Sequence, residues 1–406
     1  GSIIEEISNI YQSYIIQIVD PDTFDTQLSE LIVYTSEDDI FLVEKSSDTI
    51  GIGLNNNTNL KLGDFDTEKQ DGVRNLLFNP VEKFTRDHNI KVLKTNYDTN
   101  SLGIGTNLIG NISLTGVGKE IAASTTETIV QYPKTDFKGF YAKIFTQDLV
   151  TEEINYNEIV LDFDGTNVVT SEIFTDKKNG SSSNSVGILT SKFENNFIKL
   201  QLINDTSNII KVNGDVVGLG TTTTSTGTFR YLVSGQIAGF ENSLRLENSY
   251  ATGTSSPITY STIDKTKDST VKTLVRVSCG QTSAIHQVVT IRDADDVLTV
   301  QYPFVSIGST DGLGSFDGVI SGSNINLRFT PDSNIQSASN ANQTPVEVQA
   351  FNQIFNTEND FDNTPPKLSY GTNDLDLFLT TYDGLEGKRS NKTKFELTHE
   401  GTPIYS

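Results

Sequence analysis

EIVLDFDGTNVVTSEIF, residues 158–174, reads as a strand, an acidic turn and a second strand. Apolar and polar residues alternate along its first arm, the period of two expected of a half-buried antiparallel strand. The pattern continues outward in both directions. FYAKIF (140–145) precedes it; a Gly/Ser loop, Gly187, FIKLQLIND (197–205) and IIKVN (209–213) follow.

The same order of events occurs twice more. TLVRVS (273–278) leads to HQVVTIRDADDVLTVQYPFV (286–305), then LGSFDGVISGSNINLRFTPD (313–332) and VEVQAF (346–351). A weaker copy runs through YIIQIV (14–19), ELIVYTSEDDIFLVE (30–44), an IGIG loop, NLLFNP (75–80) and NIKVLK (89–94). The acidic turn recurs with the strands, placing Asp38, Asp164 and Asp295 at corresponding points. FLTTYDGLEGKRSNKTKFELTHEGTPIYS (378–406) reads as the opening half of a fourth copy, with HEGT as its turn.

These repeats predict an all-β protein of tandem β-sandwich modules of Ig-like size, joined by Gly/Thr-rich hairpin linkers. The expected division is 1–95 for an N-terminal segment plus the first sandwich, 96–130 for a hairpin linker and 131–213 for the second sandwich. It continues with 214–262 for a linker or hairpin insertion, 263–357 for the third sandwich and 358–406 for an incomplete fourth. Helix is expected only in the first dozen residues, where Ile3, Ile4, Ile7 and Ile10 fit a short helix or the approach to a strand. Stretches such as NGSSSNS (179–185), GLGTTTTSTG (218–227), ATGTSSP (251–257) and SNIQSASNANQTP (333–345) read as loops. The terminal strands at either end are expected to pack with a neighbouring copy, the N-terminal segment completing another chain's last module.

Composition agrees. The 406 residues are 35% hydrophobic, lean for one large core but adequate for several small ones. The formal net charge is −22, which disfavours nucleic acid and anionic membrane surfaces as partners. No run approaches the length of a membrane-spanning helix. Cys279 is the one cysteine, so no disulfide can form within the chain; in VRVSCG it reads as a small buried hydrophobe. Methionine and tryptophan are absent, and Gly1–Ser2 marks a processing site, an expression scar or simply where this sequence starts.

The order of apolar strand, D/E-G-T turn, strand, LG-x-F, NxxLxFTP and IKV resembles modules in structural proteins of marine T4-like phages such as cyanophages. The residues that carry it are DFDGTNVV (162–169), LGSFDGVISGSNINLRFTPDSN (313–334), LLFNPVEKFTRDHNIKVLK (76–94) and TKFELTHEGTPIYS (393–406). The first module departs most, with IGIGLNNNTNLKLGDF (50–65) in place of the LG-x-F element. The resemblance implies a virion component of tail, baseplate, neck or fibre type, and it brings no catalytic residues.

Chemistry is sparse. His88, His286 and His399 sit in or beside strands of three different modules, so a triad or a His-held metal would need long-range convergence. The acidic pairs Asp20/Asp22, Asp64/Asp66, Asp162/Asp164, Asp293/Asp295/Asp296 and Asp360/Asp362 read as Asx turns between strands, with a structural Ca²⁺ at a module junction as the alternative. Gly51/Gly53 and Gly103/Gly105/Gly110 lack the strand, spacing and helix of a nucleotide loop and read as hairpin turns. No catalytic, cofactor or metal residue is assigned, and no enzyme activity is expected. The expected role is a structural protein of a virion or extracellular assembly that associates with copies of itself, as a homo-oligomer or filament, and with other virion proteins. The alternative is an adhesin binding a host-surface receptor or glycan through loops at 218–227 and 333–345.

Overall fold

The computed structural model describes residues 2–7, 11–20, 23, 25–35, 40–51, 61–70, 72–81, 89–96, 106–109, 112–178, 186–220, 227–233, 242–254, 257–266, 268–292, 296–308, 313–342, 344–356, 367–369, 375–381, 393–399 and 402–404. In some of these strands, including the last four, only the backbone is described. The chain is all-β, built from antiparallel sheets, with a single helix of 10 residues among the described residues.

The first sandwich uses β1 (Ser2–Glu6), β2 (Tyr11–Val19), β3 (Thr26–Thr35), β4 (Ile40–Ile50), β5 (Gly63–Gln70), β6 (Val73–Pro80) and β7 (Asn89–Asn96). Its larger sheet has the order β4-β3-β2-β7 and its smaller one β1-β6-β5. A hairpin of β8 (Thr106–Ile109) and β9 (Ile112–Ile121) precedes the second sandwich. That sandwich is β10 (Thr126–Pro133), β11 (Phe137–Asp148), β12 (Ile154–Phe163), β13 (Val168–Lys178), β14 (Ile188–Glu194), β15 (Phe197–Ile203) and β16 (Ile210–Gly220). A second hairpin, β17 (Gly227–Val233) and β18 (Asn242–Gly253), precedes the third. The third comprises β19 (Ile258–Asp264), β20 (Asp268–Cys279), β21 (Thr282–Arg292), β22 (Val297–Ile307), β23 (Gly314–Ser321), β24 (Asn324–Pro331), α1 (Ser333–Asn342) and β25 (Val346–Asn356). A C-terminal sheet of β26 (Lys367–Ser369), β27 (Leu375–Thr381), β28 (Thr393–His399) and β29 (Thr402–Ile404) ends the chain.

The three sandwiches share one topology. The larger sheets of the second and third are β13-β12-β11-β16-β9-β8 and β22-β21-β20-β25-β18-β17; the smaller ones are β10-β15-β14 and β19-β24-β23. Even the irregularities coincide. In each smaller sheet the ladder skips one residue of the first strand: Ile4 between Ile3↔Leu77 and Glu5↔Leu76, Ile129 between Thr128↔Gln201 and Val130↔Leu200, and Tyr260 between Thr259↔Arg328 and Ser261↔Leu327. Leu76, Leu200 and Leu327 therefore hold equivalent places, and all three are buried in their own cores. Each larger sheet likewise carries one extra residue in its edge strand, namely Lys45, Ile173 or Phe304. A bulge bends the strand and turns one side chain aside.

Several expectations need correcting. The first residues form strand rather than helix. β1 pairs with β6 of its own sandwich, in the place β10 and β19 hold in the others, and buries Ile4. The N-terminal segment thus pairs inside its own module. The presumed linkers are also structural. β9 and the start of β10 fall in 96–130, and β18 and most of β19 in 214–262, and each pairs into a sandwich sheet; β16 runs on past 213 to Gly220. Backbone groups of an extended Thr- and Gly-rich segment are satisfied by such pairing. Finally, α1 occupies the loop expected at 333–345, and Ile335 packs on the third core. The loops at 179–185 and 221–226 lie outside the described residues.

Candidate functional site

Each larger sheet has two buried faces. One faces the smaller sheet; the other meets the neighbouring sandwiches. Ile15, Leu28 and Ile50 of the first, Tyr141, Val160, Val217 and Leu219 of the second, and Leu274, Ile285, Val289, Ile291 and Phe351 of the third form one shared apolar core. A second cluster joins Tyr11, Ile32 and Tyr34 to Phe145, Ile154 and Tyr156, between the first and second sandwiches. The chain is therefore folded back on itself, with its three sandwiches packed together.

Charge is buried in this joint. Glu30 on β3 is met by Lys272 Nζ of the third sandwich at 2.5 Å and by Lys45 Nζ at 3.4 Å, and it accepts a hydrogen bond from Gln287 Nε2 at 3.0 Å. Lys45, the bulge residue of β4, reaches across to Glu158 Oε2 of the second sandwich at 2.5 Å. Glu158 also accepts from Tyr141 and Tyr156 hydroxyls, each at 2.6 Å. The other two bulge residues face the same joint: Phe304 stacks on Tyr141 with centroids 5.9 Å apart, and Ile173 packs against the shared core.

Electrostatics fix the ionisation. Burial works to raise the Glu30 carboxyl, but the ammonium groups of Lys272, Lys45 and Lys143 outweigh it and hold Glu30 well below the usual carboxylate range. Burial is likewise outweighed at Glu158, which Lys45 and Lys143 lower. Burial opposes the charge on Lys45 too, yet Glu30 and Glu158 raise it on balance. Lys272 goes the other way. Burial, helped by the neighbouring Lys143 and Lys45, overcomes the attraction of Glu30 and brings it down to about 8. Three lysines share two carboxylates, so one ammonium is easily deprotonated.

Further ties surround the cluster. Asp162, fully buried, holds Arg276 Nε at 2.8 Å and Ser283 Oγ at 2.6 Å, linking the second and third sandwiches. Tyr302 donates to Asp48 at 2.6 Å and Gln17 to Thr270 at 2.5 Å, linking the third and first. Tyr11 donates to Gln147 at 2.6 Å, linking the first and second.

No family model, curated protein or solved structure matches the chain.

Among the described residues, those singled out in the sequence do not converge. His286 is buried inside the third sandwich, edge-on to Phe316 and 3.3 Å from Gln301 Nε2. His88 lies outside the described residues, and for His399 only the backbone is described. Asp164 accepts bonds from Thr166 N, Asn167 N and Asn167 Nδ2, an Asx turn, while Asp162 two residues earlier serves the joint. Asp20 accepts from Thr23 N, and Asp64 and Asp66 are exposed on β5. Asp22, Asp293, Asp295, Asp360, Asp362, Gly53, Gly103, Gly105 and Gly110 lie outside the described residues. Gly51 sits against Asp25, where a Cβ would collide with the carboxylate. Cys279 is half-buried, its thiol raised by burial, 3.7 Å from Thr344 O. No group of acidic, histidine and cysteine side chains with metal-binding geometry occurs among the described residues.

Sequence reasoning missed Glu30, Lys45, Glu158 and Lys272. Glu30 carries a signal, the one charge in β3, as in ELIVY; the other three share their strands with further charges and carry none. Paired carboxylates can serve glycoside hydrolysis, but those sites need an open cleft. Glu30 and Glu158 have side chains 6% and 1% exposed and are saturated by lysine and tyrosine partners, an arrangement suited to a joint.

Proposed function

We propose that this chain is a structural component of a virion assembly, of the tail, neck, baseplate or fibre type, acting as a rigid β scaffold that associates with copies of itself. One observation carries the reading. The buried ion pairs of Glu30, Lys45, Glu158 and Lys272 join three repeated sandwiches into one body. Buried ion pairs contribute little net stability but specify a unique arrangement in some systems, which is what a building block needs. The repeat pattern quoted from residues 162–169 and 313–334 supports the phage assignment by resemblance.

Mass spectrometry of purified virions, together with sedimentation of the recombinant chain, tests this. Peptides of the chain in stoichiometric amount in particles and association in solution are expected. Absence from particles and a strictly monomeric chain would defeat the proposal.

The adhesin reading keeps one supporting feature. Leu149, Val150 and Ile209 are 42%, 72% and 45% exposed at one end of the second sandwich, on two turns tied by Asp148 to Val150 N, Thr151 N and Asn208 Nδ2. A preformed apolar tip of this kind suits a binding surface. Glycan and host-cell binding by the wild type, lost in Val150→Asp, would favour it.

A further inference from the structure

Lys272 and Gln287 stand on adjacent strands of the third sandwich, β20 and β21. Lys272 is opposite Val289 and Gln287 opposite Leu274, so the two are diagonal neighbours across the ladder. Leu274 and Val289 belong to the shared core, so this face of both strands is the one turned to the joint. Diagonal neighbours on one face lie within reach of long side chains. Both residues are buried, 5% and 4% exposed.

Glu30 on β3 covers them from the first sandwich. Its Oε1 meets Lys272 Nζ at 2.5 Å and accepts from Gln287 Nε2 at 3.0 Å, while Lys45 Nζ lies 3.4 Å from Oε2. An ionised carboxylate only accepts, which fixes the Gln287 amide with its nitrogen towards Glu30. One oxygen thus touches an amine nitrogen and an amide nitrogen at once, deep in the joint.

Attack of a lysine on an amide needs the neutral amine, and a group that moves a proton from the incoming nitrogen to the leaving one. Burial, with Lys143 and Lys45 nearby, brings Lys272 down to about 8 against the pull of Glu30, so the neutral amine is within easy reach. Glu30 Oε1 is placed to move the proton.

We propose that Lys272 and Gln287 join in an intramolecular isopeptide bond, with Glu30 of the docked first sandwich as the catalytic residue. The lone pair of the neutral Lys272 Nζ attacks Gln287 Cδ, and the Nζ–Cδ bond forms. Glu30 Oε1 takes one proton from Nζ and returns it to Nε2. The Cδ–Nε2 bond then breaks and ammonia leaves, so atoms and charge balance with no oxidant or co-reactant. The product removes one cation from a cluster in which three lysines share two carboxylates, leaving Lys45 and Lys143 with Glu30 and Glu158. Because Glu30 belongs to β3, the bond forms only where the first and third sandwiches have docked, and it records that docking covalently. An amide is a weak electrophile. The freshly folded chain therefore carries the unlinked pair, with Lys272 still titrating, and the bond accumulates with time.

Intact-mass spectrometry of the full chain, freshly folded and then held in alkaline buffer for several days, tests this. The mass is expected to fall by one ammonia as time passes, and trypsin should release a branched peptide joining residues 268–276 to 277–292. Lys272→Arg, which keeps a cation beside Glu30 without the amine, should hold its encoded mass. Glu30→Gln should form the bond about 100-fold or more slowly. A wild-type mass that never changes overturns the proposal, whether or not Glu30→Gln folds. So does an ammonia loss that persists in Lys272→Arg without the branched peptide, since it then comes from imide formation at an asparagine. Linkage in Glu30→Gln at the wild-type rate would overturn the catalytic role of Glu30.

Discussion

Glu158 draws its three partners from two sandwiches: Tyr141 and Tyr156 from its own, Lys45 from the first. Removing it leaves a buried ammonium with one remaining, longer contact to Glu30. Breaking one side of a buried pair costs about 3–5 kcal/mol. Glu158→Ala is therefore expected to lower the midpoint of urea denaturation sharply, while Glu158→Gln, which keeps two acceptor sites, should cost less. Lys272 sets a pH dependence. Unfolded, a lysine holds its proton to about 10.5; folded, this one gives it up near 8. Between those values the unfolded chain binds more protons, so stability rises with pH across the window and is lowest, for this group, below 8. Glu30 and Glu158 act at the acid end. Their contribution is whole above the ordinary carboxylate value of 4.5 and is lost as pH falls below it toward their folded values. Thermal melts of wild type and Lys272→Met between about pH 8 and about pH 10 should show the wild-type rise flattened in the variant.

At the scale of the element, the hairpins of the smaller sheets close with left-handed backbone at matching places: Gly72 (φ 82), Asn195 and Asn196 (φ 53 and 67), and Gly322 (φ 62). Asparagine and glycine tolerate this region, whereas a β-branched residue pays about 1–2 kcal/mol for it. Asn196→Val is expected to destabilise by that amount and Asn196→Gly to be neutral or stabilising, as read by the melting temperature. The larger-sheet strands were legible because each carries its own inward row, such as Phe140, Ala142 and Ile144 on β11. Edge strands of the smaller sheets are harder to read. GDFDTEKQ on β5 offers only Phe65 to the core and shows no apolar run. SNIQSASNAN reads as a loop because Ser and Asn are weak helix formers; a packed Ile335 and a first turn closed by Gln336 N on Asp332 O hold it as a helix. The joint was illegible for a different reason. Glu30 and Lys272 are brought together by tertiary packing that no local period encodes.

For the whole molecule, the shared core predicts joint unfolding. Leu274, Ile285, Val289 and Ile291 would become a solvent-exposed apolar stripe on an isolated third sandwich, and such patches drive association. A fragment of residues 236–357 is expected to aggregate or melt well below the full chain. The full chain should show one main transition by calorimetry across its three sandwiches. Three separated transitions at the fragment's own temperature would mean that the joint contributes little.

The bulge gives the tandem arrangement a last consequence. At one equivalent position the three sandwiches carry a lysine, an isoleucine and a phenylalanine. Three separate identical subunits packed the same way would have to put one residue there three times over. Three lysines would repel, and three apolar residues would leave Glu158 without its cation. Covalent linkage in a single chain frees each copy to specialise, so one corner can be charged, one aliphatic and one aromatic, and the order of the corners is written into the polypeptide.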